Sequence, residues 1–255
     1  MTIELSVSNG VGIATMNRPE SMNSLTAQVL TEWSSSIREL SDNPDVKVIV
    51  LTGAGRAFSA GMDLKTPFDS GEDMPWSNEK NPAGRLSKAL TYAIDCVRTL
   101  ARVNQPTIAA VNGYTVGAGM SLAAACDIRL ASPQAVFSAP FVKLGPSGGD
   151  LGLSWFLPRI IGLPQATDMI LNAREYTAEQ ALDIGLVTGI EDDVVAAAQH
   201  MGEHIGSFEP YGVMMSKRLL AASSTASLEA QFDAELTAQT AGSFTATAQS
   251  LGQQR

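Results

Sequence analysis

The sequence predicts an α/β fold, in which buried strands alternate with helices. Residues 46–51 and Thr107–Val111 are apolar at nearly every position, as expected for short strands that are covered on both faces. A glycine-containing turn and a run of small residues follow each of them. Elsewhere along the chain, apolar residues recur at helical spacing. These patterns together favour an α/β domain over an all-helical or all-β one.

Composition narrows the class of protein. With 255 residues, 45% of them hydrophobic, the chain is long enough for one domain of ordinary size plus an appendage. The net charge of −9 argues against a nucleic-acid partner, since phosphate binding depends on clustered Lys and Arg. The sequence shows neither a signal peptide nor a run of the roughly 18–20 apolar residues that spans a bilayer. We therefore expect a cytoplasmic protein without a membrane partner, with Cys96 and Cys126 reduced.

The first part of the chain predicts a hairpin and an amphipathic helix. Segments 3–7 and Val11–Met16 alternate apolar and polar residues around a Ser8-Asn9-Gly10 turn, which indicates a hairpin. Ser24 is a candidate N-cap for a helix over about 25–40, where apolar residues recur at helical spacing.

A polar loop follows the buried strand at 46–51. This loop, 66–81, contains Met74 and Trp76, residue types that either line a ligand pocket or attach a loop to the core. A long helix is predicted over 83–102. The remaining predicted elements are strands at Ile128–Ala131 and 135–138, a helix from the glycine-rich turn at 144–151 to about 161, and helices at about 164–172, 178–184, 194–205, 210–222 and 228–249.

The segment 106–127 carries the first functional indication. A buried strand ends at an Asn112-Gly113 turn, and the glycine-punctuated connection Gly117-Ala118-Gly119 then leads into an alanine-rich helix. Small residues at a helix N-terminus leave backbone N–H groups accessible to an anion, or to an oxygen that becomes one during a reaction. A tight packing corner between strand and helix is the alternative. The segment 48–64 shows a similar pattern, an apolar strand and a glycine turn followed by small residues entering a helix.

Several motifs recur in an order and spacing that resemble a known family. They are NRPESMNSL (17–25), FSAGMDL (58–64), AAVNGYTVGAG (109–119), CDIRLAS (126–132) and AEQALDIGLV (178–187). Over about residues 3–190 the chain resembles the crotonase (enoyl-CoA hydratase/isomerase) superfamily. The resemblance implies a crotonase-like spiral of repeated β-β-α units in residues 1–193. A helical C-terminal region, 194–255, follows, and its apolar positions predict a homo-oligomer. The resemblance implies that this oligomer is a trimer or a dimer of trimers.

The resemblance also implies a thioester site. The backbone N–H groups of Met62 and Ala118 match the two donors that hold the thioester carbonyl oxygen in this superfamily, where they stabilise an enolate-like oxyanion. The positions that match coenzyme A contacts are Arg18, Met22, Ala60 and Lys65. The partner is thus an acyl-CoA substrate, with no cofactor beyond its coenzyme A moiety and no metal.

The acids depart from the hydratase pattern. Ser121 and Phe141 stand where hydratases of this family carry two glutamates, and neither side chain can act as a carboxylate base. Asp150 resembles the lone catalytic acid of 3-enoyl-CoA to 2-enoyl-CoA isomerases, although an N-cap of the following helix is an alternative role. We expect the substrate pocket to be formed by Met74, Trp76, Ser121, Phe141 and Trp155.

The predicted reaction is therefore isomerisation of 3-enoyl-CoA. Three alternatives stay open: hydration as in β-oxidation, aspartyl-nucleophile chemistry on an acyl-CoA, and a catalytically silent acyl-CoA-binding protein. Two other motifs are rejected. Gly53-x-Gly55 begins like a dinucleotide fingerprint, but Phe58 occupies its sixth position. His200 and His204 share a helix face but lack the third ligand and the glutamate of a zinc motif.

Overall fold

In the computed structural model, which describes residues 2–66 and 74–252, the strands form two sheets. The larger sheet has the strand order β1-β2-β3-β5-β7-β10. Its first two strands form the predicted antiparallel hairpin, and the others run parallel to β2. The bounds of these strands are β1 (Ile3–Ser8), β2 (Val11–Met16), β3 (Val48–Gly53), β5 (Thr107–Val111), β7 (Ile128–Ala131) and β10 (Gly189–Ile190).

The smaller sheet consists of short strands that follow those of the larger one along the chain. Its order is β4 (Ala57–Ser59), β6 (Tyr114–Val116), β8 (Val136–Ser138) and β9 (Glu175–Thr177). The first three are parallel, whereas β9 runs antiparallel to β8. The carboxyl ends of β4, β6 and β8 therefore meet at one edge of this sheet.

The helices complete a repeated unit. Each of β3-β4-α2, β5-β6-α3 and β7-β8-α4 places one strand in the larger sheet, one in the smaller sheet and then a helix. This repetition confirms the predicted α/β fold with β-β-α units. The helices are α1 (Ala27–Asp42), α2 (Pro82–Arg102), α3 (Ala118–Ala124), α4 (Phe141–Leu144), α5 (Leu153–Asn172), α6 (Ala178–Asp183), α7 (Val194–Gly206), α8 (Pro210–Ser223), α9 (Leu228–Gly242) and α10 (Ala246–Gly252).

Strand β3 shows why the central strands are apolar at every position. Val48 and Val50 belong to a buried cluster with residues of α7, while Ile49 and Leu51 belong to the main core, which includes residues of α1 and α2. Because alternate residues of a strand point to opposite faces, a strand covered on both sides needs apolar residues throughout. Within the described residues, no helix combines the length and the apolar character that crossing a membrane requires.

Several predicted boundaries were wrong. The N-cap of α1 is Thr26, whose side chain accepts a hydrogen bond from the Val29 N–H, whereas the Ser24 hydroxyl donates to Asp63. Segment 60–66, expected to enter a helix, is a loop in which Met62 pairs with Leu25 through an isolated β-bridge. The single helix expected over 228–249 divides into α9 and α10. The helices expected on either side of residue 162 are confirmed as two segments of α5 that meet at a non-helical Gly162.

The C-terminal helices are held less tightly than α7, which packs on the larger sheet. Helix α8 contains no buried residue, and Ala238 is the buried residue of α9. Lys217 attaches α8 to the core, since its Nζ lies 2.8 Å from Asp127 Oδ2 and donates a hydrogen bond to the Gln105 carbonyl. The large apolar side chains that this region leaves exposed are Leu220, Leu228, Phe232, Leu236 and Phe244. The predicted division of the chain at residue 193 stays a prediction.

Candidate active site

A cavity of about 780 Å³ lies beside the edge at which β4, β6 and β8 end. Residues directly after these strands form one wall: Ala60 and Met62 after β4, Gly117 and Ala118 after β6, and Phe141 after β8. Ligands of parallel α/β sheets commonly bind at the carboxyl ends of strands, where loops from several strands converge. The sequence motifs FSAGMDL and TVGAG are thereby brought to the same cavity.

The two predicted oxyanion donors are brought close together by a glycine. Gly61 has a φ of +82°, and a Cβ placed on it would lie 2.6 Å from the Val116 carbonyl oxygen and 3.1 Å from the Ala118 nitrogen. The backbone just before Met62 therefore abuts the backbone that carries the Ala118 N–H. Only a residue without a side chain permits this approach.

The local backbone pairing does not use the N–H groups of Met62 and Ala118. Leu25 donates to the Gly61 carbonyl at 2.7 Å and accepts from the Asp63 N–H at 3.0 Å, so the Met62 N–H between them points away from Leu25. Ala118 is the first residue of α3, where an N–H has no acceptor within the helix. The local backbone pattern therefore leaves both N–H groups available to a ligand, as the predicted oxyanion site would need.

Replacing Gly61 with alanine should lower kcat/KM for a thioester substrate about tenfold, because the added Cβ separates the two donors. Gly185→Ala is the matched control. Gly185 has a similar φ of +75°, but a Cβ on it would meet nothing within 4 Å. Both variants should lose about 1 kcal/mol of stability from the left-handed backbone. Gly61→Ala should lose more, because its Cβ meets backbone atoms, and only Gly61→Ala should lose activity. Equal activities of the two purified variants would contradict the close approach as a requirement of the site.

Asp150 lies on the wall of the same cavity rather than at the N-cap of α5. The N-cap is Gly152, which has no side-chain cap, so the alternative role considered for Asp150 was wrong. Leu151 adopts a left-handed φ of +47° and Gly152 one of +83°, and this turn separates Asp150 from the helix. The Asp150 carbonyl accepts hydrogen bonds from the Leu153 N–H at 2.9 Å and the Ser121 hydroxyl at 3.1 Å.

The Asp150 carboxyl is only partly exposed, and burial raises its pKa above the ordinary value, against a hydrogen bond from the Leu151 N–H that lowers it. A carboxylate with a raised pKa is better suited to take up and return a proton near neutral pH. A general base at Asp150 would need a pKa shifted in this direction.

Asp63 is the other carboxylate on the described part of the cavity wall. Burial favours a higher pKa, but hydrogen bonds from the Lys65 N–H, the Ser24 hydroxyl and the Thr66 N–H, with the Arg18 guanidinium nearby, hold the Asp63 pKa below its ordinary value. Asp63 therefore stays ionised, and its oxygens are engaged by these hydrogen bonds. The pKa of Asp150 is raised, whereas that of Asp63 is lowered. Opposite shifts of this kind are typical of a pair in which one carboxyl transfers protons and the other has a structural role.

Of the other residues predicted for the pocket, Phe141 lies on the cavity wall. Ser121 is fully buried in α3, and its hydroxyl donates a hydrogen bond to the Asp150 carbonyl. Ser121, at the position where hydratases carry a glutamate, thus contributes a hydrogen bond that positions the Asp150 turn.

Met74, Trp76 and Trp155, which were also predicted for this pocket, are not among the described residues that line this cavity. Trp76 is only 1% exposed and packs edge-to-face against Tyr92 at 5.7 Å between ring centroids, with Met74 partly buried beside it. These two residues attach their loop to the core, the alternative left open by the sequence. Trp155 lines a second cavity, next to Phe156. The remainder of that loop, residues 67–73, lies outside the described residues.

The predicted coenzyme A residues lie in two segments, Arg18 and Met22 between β2 and α1, and Ala60 and Lys65 in the loop after β4. Ala60 lines the cavity and donates its N–H to the Met22 carbonyl at 2.9 Å. Arg18 donates from Nη1 to the Ser24 carbonyl at 2.7 Å, and its Nη2 lies 3.7 Å from Asp63 Oδ2. Lys65 is exposed. Their contacts with coenzyme A stay predictions.

Helix α2 contributes a wall of the cavity that was not predicted from the sequence. Leu86, Leu90 and Ile94 lie on one helix face, line the cavity, and are 45%, 37% and 41% exposed. Because the three residues are spaced four apart, their side chains form one stripe along the helix. This apolar stripe is the sequence feature from which the wall could have been predicted. Exposed apolar side chains that face a cavity indicate a hydrophobic ligand.

Comparison with known proteins agrees with this geometry. A family model described as enoyl-CoA hydratase/isomerase matches residues 6–251. The chain is 38% identical over 224 residues to the probable enoyl-CoA hydratase EchA12 of Mycobacterium tuberculosis, covering 87% of this chain and 77% of that protein. It is 34% identical over 227 residues to the peroxisomal Delta(3,5)-Delta(2,4)-dienoyl-CoA isomerase of Arabidopsis thaliana, covering 86% and 80%. A monofunctional enoyl-CoA isomerase from M. smegmatis is a structural match, with a TM-score of 0.74, 34% identity, and coverage of 91% of this chain and 98% of that one.

Proposed function

Because this chain belongs to the enoyl-CoA hydratase/isomerase family, we propose that it moves the double bond of a 3-enoyl-CoA to the 2,3 position. The observation that supports this reaction is the placement of Asp150 on the same cavity wall as the oxyanion donors of Met62 and Ala118. One carboxylate near one oxyanion site is the minimum that the isomerisation requires.

The reaction proceeds through a dienolate. The thioester carbonyl oxygen lies between the N–H groups of Met62 and Ala118, which stabilise the negative charge that develops on it. Asp150 removes a proton from C2 and returns one to C4. Both carbons present the same face of the planar dienolate, so a single carboxylate reaches them in turn. This chemistry needs no cofactor beyond the coenzyme A of the substrate.

Hydration is less well supported by the residues of the cavity. Adding water to a double bond requires that a water be held and deprotonated while C2 is protonated, which two free acids accomplish in the hydratases that the sequence resembles. Here the second described carboxylate, Asp63, is engaged by hydrogen bonds from three donors. The named relatives include both hydratases and isomerases.

A panel of acyl-CoA thioesters tests the proposal. Purified protein is incubated with 3-enoyl-CoA, 2-enoyl-CoA and a halogenated aromatic acyl-CoA, and products are separated by chromatography and weighed by mass spectrometry. We expect a new product of unchanged mass from 3-enoyl-CoA alone. Gain of one water from 2-enoyl-CoA would indicate a hydratase. Loss of halide would indicate an aspartyl nucleophile, and binding without a product would indicate a silent member of the family.

The exposed apolar residues of α8 and α9 support a homo-oligomer, for which the family resemblance suggests a trimer or a dimer of trimers. Leu220 is 74% exposed, Phe232 52% and Leu236 68%, more apolar surface than a monomer usually leaves in one region. We expect light scattering at micromolar concentration to give a mass of three or six chains. Replacing Phe232 and Leu236 with glutamate should lower that mass, because burying two carboxylates in an apolar interface is unfavourable. A monomer of the unmodified protein would contradict this proposal.

A further inference from the structure

A second cavity adjoins the active-site cavity on the side of Asp150. It has a volume of about 530 Å³, and the two cavities share Ile94 of α2 and Leu151, the residue after Asp150. The shared wall therefore begins next to the carboxylate that acts on the acyl chain. Phe156 continues the apolar lining beyond it. The lining that the two cavities share is thus apolar, and one of its residues directly follows Asp150.

The lining of this second cavity includes cationic side chains. Arg98 and Arg102 line it. Arg98 is paired with Asp95, whereas Arg102 has no ion pair or hydrogen bond within the described part of the chain. Arg159 adds a third guanidinium, stacked 4.1 Å above the Trp155 ring that also lines the cavity. Three guanidinium groups therefore lie at or beside this cavity on a protein whose net charge is −9, and one of them is paired with Asp95.

We propose that this second cavity binds the far end of the acyl chain, and that this end carries a carboxylate. The inference rests on the proposed function, because it takes the reacting part of the acyl chain to lie at Asp150. Arginine side chains offer the fixed pairs of N–H donors that bind carboxylates well. The substrate class is therefore a 3-enoyl-CoA derived from a dicarboxylic acid.

An aromatic acyl group fits the cavity less well than a carboxylate. One face of Trp155 is already covered by Arg159, and its ring contacts Phe156 edge-to-face at 5.0 Å between centroids. These contacts occupy one face of the Trp155 ring and reduce the surface on which a substrate ring could stack. The donors of Arg102, in contrast, are available on the cavity wall.

The test compares matched pairs of 3-enoyl-CoA substrates of equal chain length, one ending in a methyl group and the other in a carboxylate, over a series of lengths. For the wild-type protein, we expect kcat/KM to be about tenfold or more higher for the carboxylate at the length that spans both cavities. Arg98→Gln and Arg102→Gln should each reduce this preference, and the double variant should abolish it. Turnover of the methyl-ended substrate should fall by less than turnover of the carboxylate-ended one, because its end carries no charge for the arginines to bind.

The control variant is Lys88→Gln, which removes a positive charge from the same helix outside both cavities and should keep the preference. Turnover of the methyl-ended substrates without any preference for the carboxylate would overturn this inference and leave the proposed isomerase intact. Failure to isomerise any substrate would overturn the proposed function itself. A preference for phenyl-ended substrates, or weaker binding of free coenzyme A to the double variant, would assign the cavity to a different group and contradict the proposal.

Discussion

Replacing Asp150 with asparagine should lower kcat for the isomerisation of 3-enoyl-CoA by about 100-fold or more, the usual consequence of losing a general base. Asparagine keeps the size of the side chain and can still accept the hydrogen bond from the Leu151 N–H. KM should change little, because the oxyanion donors and the apolar walls remain. The measurement is steady-state kinetics of both proteins on the same substrate. Unchanged kcat would show that another group moves the proton.

The stability of this variant separates loss of the base from damage to the fold. Because burial raises the Asp150 pKa in the folded state, the ionised carboxylate is unfavourable there, and the penalty appears as the pH rises through that raised pKa. Asp150→Asn should therefore raise Tm at neutral pH, and the difference should vanish below about pH 4, the ordinary pKa of aspartate. Asp45→Asn, at an exposed position, serves as the control. A lower Tm at neutral pH would mean that the variant is structurally damaged.

The raised pKa also predicts the pH dependence of the wild-type enzyme. Only the ionised form of Asp150 can remove a proton, so kcat/KM should fall on acidification. The midpoint of this fall should lie above the ordinary aspartate pKa of about 4. An acid limb at or below that value would place the base elsewhere.

Replacing Ala118 with proline should lower kcat by about 100-fold to 1000-fold, the range found when one oxyanion donor is removed. Proline has no N–H, and its fixed φ suits the first position of a helix, which Ala118 occupies in α3. The variant therefore removes the donor at a position where the backbone tolerates proline. Steady-state kinetics on 3-enoyl-CoA measures the effect.

Ala178→Pro is the matched control for this experiment. Ala178 is the first residue of α6 and follows the extended N-cap Thr177, away from the cavity. It should fold and retain activity. Normal turnover by a folded Ala118→Pro protein would remove Ala118 from the oxyanion site. Loss of the folded circular dichroism spectrum in that variant alone would refute the premise that proline fits there.

Sequence patterns were most informative for the long elements. Strands such as β3 and β5 were predictable because each is apolar on both faces, and helix α2 because its apolar positions recur at helical spacing. The short strands β4 and β6 were not. Each has three residues, too few to show alternation, and exists because it pairs with a neighbour from a distant part of the chain. The edge at which the cavity forms depends on these strands.

The cavity or core in which a single side chain lies was the feature least predictable from the sequence. Trp76 and Trp155 were both candidates for the pocket, but which cavity or core a side chain reaches depends on tertiary packing rather than on neighbouring residues. The role of Asp150 was similarly open from the sequence, because a left-handed Leu151 is not expected of a bulky residue. That backbone conformation is what directs Asp150 to the cavity rather than to the helix end.

Incubation of the wild-type protein with 3-enoyl-CoA in deuterium oxide tests the central claim most directly. If Asp150 and the two N–H donors act through a dienolate, the product is 2-enoyl-CoA with no added water, and deuterium enters at C4 in those turnovers in which the protonated Asp150 exchanges with solvent before it returns the proton. The same preparation should leave 2-enoyl-CoA without a hydroxyl group. Rapid conversion of 2-enoyl-CoA to a product heavier by one water, with no shift of the 3-enoyl double bond, would contradict the account.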